Sequence, residues 1–71
     1  MKLVDFLEQQ EQQLKAQDAT ITVFKYDYFT EEMNAYDVDE IRLYHSNLLN
    51  HDIESVKMYF DTDGLFVDIE L

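Results

Sequence analysis

Cysteine, proline and tryptophan are missing from this chain, glycine occurs once, and there are only five basic residues. Each shortage removes a class of explanation. Without cysteine there is no disulfide and no thiolate metal site, and a reducing, cytoplasmic setting suits the chain. One glycine and no proline leave little linker material. They also exclude a glycine-rich phosphate loop and a Gly-x-Ser-x-Gly nucleophile elbow. No apolar run approaches the roughly 20 residues of a membrane span. The opening Met1-Lys2-Leu3-Val4-Asp5 turns acidic and Gln-rich at once, unlike a signal peptide. Five bases face sixteen acids, a net charge of -11 over 71 residues. Direct binding to nucleic acid or to an anionic membrane is therefore disfavoured, because phosphates would be repelled.

Hydrophobic residues make up 46% of the chain, with five Phe and five Tyr, which argues against disorder despite the charge. The length allows one domain, residues 1–71. A domain of this size buries only about 60% of its unfolded surface.

Leu3, Phe6, Leu7 and Leu14 recur at helical spacing and predict a helix over 2–17, with Asp5 in the first turn where the dipole favours an acid. Residues 19–29 are rich in β-branched and aromatic types and predict a strand. Both faces of that strand begin apolar, so it reads as central, with its far end emerging into solvent. Residues 30–37 read as a polar connection. Asp37 and Glu40 form a partial capping box before Val38, Ile41, His45, Leu48 and Leu49, which predicts a helix over 38–50. A strand at 40–46 is the competing reading. Residues 54–61 and 65–71 alternate as strands around Asp61-Thr62-Asp63-Gly64, a strong hairpin signal. The expected fold is α+β, αβαββ, with helices packed on a three-stranded sheet that ends in a C-terminal hairpin. The alternative is one N-terminal helix plus a four-stranded antiparallel meander.

The segment from Asp61 through Gly64 to Glu70 resembles part of an EF-hand calcium loop, with Gly64 at the glycine position and Glu70 at the last ligand. Tyr59 occupies the first ligand position and the flanks alternate as strands, so the plain hairpin is favoured. His45 and His51 have no zinc-motif spacing and read as a half-buried residue and a helix-end residue. Neither a metal nor another cofactor is expected, and no arrangement of residues marks a catalytic centre, so the chain reads as a binder and not an enzyme.

The remaining signal is acidic. From Asp27 to Glu40 there are six carboxylates, two tyrosines and no Lys or Arg. Asp27, Tyr28, Glu31, Glu32, Tyr36, Asp37, Asp39 and Glu40 are the expected partner-binding residues. The carboxylates would supply long-range attraction and the tyrosines contact area. The expected partner is a basic, nucleic-acid-binding protein that the chain blocks by imitating DNA. At the phosphate density of a duplex, sixteen carboxylates would match roughly 8 base pairs. In size, charge and lack of catalytic motifs the chain is similar to small acidic proteins of phages and mobile elements that inhibit restriction, repair and CRISPR nucleases. No residue motif ties it to one family. The alternative is a non-catalytic structural or regulatory module, a homodimer joined through Tyr59 and Phe66 or through Leu3, Leu7 and Leu14.

Overall fold

A computed structural model describes every residue of the chain, 1–71. The first helix, α1, spans Leu3–Ala16 and turns Leu3, Phe6, Leu7 and Leu14 into the core. Its N-terminus has no side-chain cap; instead the Leu3 N–H donates to the His51 carbonyl at 2.9 Å, and the Ile53 N–H donates to the Met1 carbonyl. Its C-terminus closes in a Schellman arrangement. Ala19 N–H reaches back to Leu14 and Asp18 N–H to Lys15, with Asp18 at φ 55 in the left-handed region.

Four strands follow. They are β1 (Thr20–Asp27), β2 (Glu32–Tyr36), β3 (Ser55–Asp61) and β4 (Gly64–Glu70). Between β2 and β3 lie a short helix, α2 (Val38–Tyr44), and a 3-10 turn (Ser46–Asn50). The sheet order is β2-β1-β4-β3. β1 and β4 are parallel, with Val23 opposite Ile69, and the two outer pairs are antiparallel.

The α+β class holds, with two helices on a four-stranded mixed sheet. The αβαββ arrangement and the three-stranded sheet do not match, because the segment read as a connection contains β2. The four-strand alternative is nearer, although β1 and β4 run parallel. Glu-Met-Asn-Ala-Tyr has weak strand propensity. It is recruited because the far half of β1 offers an unpaired ladder beside it. The expected helix over 38–50 breaks at His45, which leaves helical geometry at φ -136. Ser46, Asn47 and Asn50 are poor helix residues, and a 3-10 turn carries Leu48 into the core instead.

One face of the sheet is covered. Ile21, Val23, Leu65, Val67, Ile69 and Leu71 meet Leu3, Phe6, Leu7 and Leu14 of α1, with Val38, Ile41 and Leu48, in a single cluster of 13 buried residues. One carboxylate enters this layer. Glu11 lies in line with Leu7 and Leu14 and is buried. Arg42 of α2 donates to it from both terminal guanidinium nitrogens, at 2.8 and 2.5 Å, and Lys15 adds a contact at 3.1 Å. The Arg42 hydrogen bonds outweigh desolvation and pull the Glu11 pKa from 4.5 to about 2. Arg42 is raised in turn, chiefly by the same bonds. The pair ties α2 to α1 across 31 residues of sequence. No helix is long and apolar enough to cross a membrane.

Candidate functional site

Of the sixteen carboxylates, only Glu11 is salt-bridged. The others have no ion-pair partner, and how the fold groups them decides what they can do. The acidic block from 27 to 40 is continuous in sequence but not in space. β2 runs between its two halves, and at about 3.3 Å per residue its five residues separate them by roughly 17 Å.

The first half is the β1–β2 hairpin. β1 pairs with β4 only as far as Phe24, opposite Glu70. Lys25, Tyr26 and Asp27 pair with β2 alone, so the hairpin overhangs the rest of the sheet. Its loop is Tyr28-Phe29-Thr30-Glu31. Asp27 shapes it by accepting from the Phe29 N–H at 2.8 Å and the Thr30 N–H at 3.4 Å, an Asx turn. Glu31 closes the loop at φ 57. That conformation favours Gly or Asn and costs a residue such as Glu about 1 kcal/mol.

The tip places aromatic and acidic groups together. Phe29 is fully exposed, and Tyr28 and Met33 are exposed beside it. Tyr28 packs edge-on to Tyr26, with ring centroids 4.8 Å apart at 74°. Asp27, Glu31 and Glu32 flank these rings without an ion-pair partner. Along the helix-side flank, a groove of about 300 Å³ runs past Lys25, Asn34 and Tyr36 to Tyr28 and Phe29.

The second half is the start of α2. Asp37 is the N-cap, and its carboxylate accepts from the Glu40 N–H at 2.7 Å. Asp39 and Glu40 stand exposed in the first turn. Tyr36 departs from the expected contact role. It is half-buried against the core and packs on His45 at 4.8 Å. The fold therefore brings Asp27, Tyr28, Glu31 and Glu32 together, sets Asp37, Asp39 and Glu40 at the opposite end of β2, and turns Tyr36 inward.

Sequence reasoning passed over Phe29 and Met33. Phe29 carried no separate signal, because it closes the aromatic and β-branched run read as a strand over 19–29. The remaining acids lie on several sides of the molecule. Asp5 and Glu8 are on α1, Asp61 and Asp63 at the second hairpin, and Asp68 and Glu70 on the open sheet face.

At the second hairpin, Asp61 accepts from the Asp63 N–H at 2.7 Å, and Gly64 takes φ 118. Its flanks are strands in register from Ser55↔Glu70 to Asp61↔Gly64, so the segment likened to a calcium loop is a tight hairpin. No group of three or more His, Cys, Asp or Glu residues is arranged to hold a metal ion. No protein-family model matches the chain, no curated protein matches it in sequence, and no solved structure matches it in fold.

Proposed function

We propose that this chain is a non-catalytic inhibitor that docks on the basic surface of a nucleic-acid-binding protein, led by the β1–β2 hairpin. The supporting observation is the overhanging tip, where a fully exposed Phe29 shares one hairpin end with Asp27, Glu31 and Glu32, none of them salt-bridged. An aromatic held out to solvent contributes nothing to the core, and a carboxylate at positive φ strains the backbone. Both fit a surface whose stabilising contacts are made with another molecule.

The two components have different jobs. A net charge of -11 on a body of 35 × 25 × 21 Å steers the chain toward cationic surfaces and speeds encounter. Because the carboxylates are spread over several faces, steering alone gives little orientation. Phe29, Tyr28 and Met33 supply the apolar area that fixes one pose, as aromatic anchors do at interface hot spots. Asp39 and Glu40, at the far end of β2, give the basic surface a second point of attraction. The bound chain then occupies the Lys/Arg surface that phosphates would otherwise use, which is inhibition by competition with DNA or RNA.

The test is a capture from bacterial lysate with the wild-type chain and with a Phe29→Ala, Glu31→Lys, Glu32→Lys variant. Proteins retained by the wild type should be basic nucleic-acid binders, released by added salt and displaced by duplex DNA, and absent from the variant eluate. Retention unaffected by salt, by DNA and by the variant would overturn the proposal.

A further inference from the structure

The two edges of the sheet are not alike. The β2 edge is five residues long, begins at Glu32 and passes directly into α2. The β3 edge is seven residues long and exposed at every position but Tyr59. The helix layer does not reach it. On the helix side Val56, Met58 and Phe60 are 39%, 51% and 79% exposed, although their cross-strand partners Ile69, Val67 and Leu65 are buried. A long apolar edge with a free backbone ladder is what soluble proteins ordinarily shield. Here one charge, Lys57, lies inside the strand and a second, Asp61, ends it.

We infer that the β3 edge is the surface on which a second copy of this chain docks, antiparallel strand to strand. The occupant is argued from charge and from self-complementarity. A chain of net charge -11 repels its own copies. From Ser55 to Phe60, however, β3 carries Lys57 and no acid. The strand also reads as its own partner. Pairing two copies about Tyr59 seats Lys57 opposite Asp61 of the second copy, Met58 opposite Phe60, and Tyr59 opposite its counterpart. Residues directly opposite share a face, so the Lys–Asp pair lies on the open face with Tyr59, and Met58 and Phe60 lie on the helix face. A two-fold axis through this pairing keeps both helix layers on one side. The apolar stripes Val56, Met58 and Phe60 of both copies then fill the trough between them. Leu3, Leu7 and Leu14, one of the self-association surfaces expected from sequence, are buried in the monomer core and are not available.

This association is independent of the acidic hairpin, and salt separates the two. Binding of a basic partner weakens as salt screens attraction, whereas pairing of two like-charged copies tightens as salt screens repulsion. Sedimentation equilibrium over a concentration series, at low and high salt, reads the association directly. The expected result is a monomer–dimer equilibrium that shifts toward dimer with salt. Lys57→Glu should weaken it about tenfold by facing Glu against Asp61. Adding Asp61→Lys to that variant should restore it, and circular dichroism shows that each variant is folded. Amide exchange at Val56, Met58 and Phe60 should slow with chain concentration. A wild-type chain that stays monomeric up to its solubility limit overturns the inference. So does a dimer on which Lys57→Glu has no effect, or whose β3 amides exchange as fast as in the monomer. Slow β3 exchange only when another protein is added would assign the edge to that protein's strand and equally overturn pairing with a second copy.

Discussion

The two hairpins of this sheet answer the same geometric demand in different ways. Each must reverse the chain, and each needs a residue at positive φ. The β3–β4 hairpin does so in two turn residues and gives the left-handed position to Gly64, the only glycine in the chain. The β1–β2 hairpin uses four, gives that position to Glu31 and leaves Phe29 in solvent. Both turns are braced alike, by an Asp carboxylate on the backbone N–H two residues on. One turn is optimised for local stability. The other keeps a charge and an aromatic where neither helps the fold. That difference is what the proposed docking role of the β1–β2 turn would require.

The widest separation between the hairpins is expected in partner binding. Replacing Phe29 by Ala and Glu31 and Glu32 by Lys should weaken binding to a captured basic partner by at least ~30-fold, about 2 kcal/mol. The melting temperature should hardly change, since none of the three side chains is buried. Equal loss from charge reversal of Asp61 and Asp63 at the other hairpin would show that only total charge matters.

Gly64→Ala should do the reverse. A Cβ at Gly64 meets nothing within 4 Å, so the whole effect is conformational strain at φ 118. A loss of about 1–2 kcal/mol in denaturant unfolding, with binding unchanged, is expected.

Glu11 sharpens the contrast between paired and unpaired carboxylates. Its folded pKa of about 2 lies below its ordinary 4.5, so its contribution is fully present above pH 4.5 and is lost as the pH falls toward 2. Glu11→Gln should therefore be less stable than the wild type by about 1–2 kcal/mol at pH 7, a value reduced by the half-exposed Arg42. The two unfolding curves should converge near pH 2. A gap that persists in acid would show that packing, not charge, is the contribution of Glu11.

The smallest effect is the most diagnostic of the tip. Glu31→Gly relieves the positive φ and should raise stability by about 0.5–1 kcal/mol while weakening partner binding. A variant that gains stability and binds as well as the wild type would remove the reason for keeping a carboxylate there.

Much of the scaffold was legible. The spacing of Leu3, Phe6, Leu7 and Leu14 marks α1, the β-branched and aromatic run marks β1, and Asp63-Gly64 between alternating residues marks the second hairpin. Asp37 caps α2 as its spacing to Glu40 suggested. β2 was not legible, because Glu-Met-Asn-Ala-Tyr becomes a strand only when β1 lies beside it. The burial of Glu11 was not legible, because its partner Arg42 is 31 residues away in sequence. At the site, composition pointed to the acids and tyrosines of 27–40. It could not show that β2 divides them, that Tyr36 turns inward, or that Phe29 is fully exposed.

Local chemistry, carried by short-range spacing and side-chain type, determined the helix, the capping residue, the tight turn and the excess of negative charge. Such signals act over a few residues and survive whatever the rest of the chain does. Which strands became edges, which carboxylate found a cation, and which aromatic was left in water were decided only when distant segments met. Pairing and burial depend on neighbours that are remote along the chain.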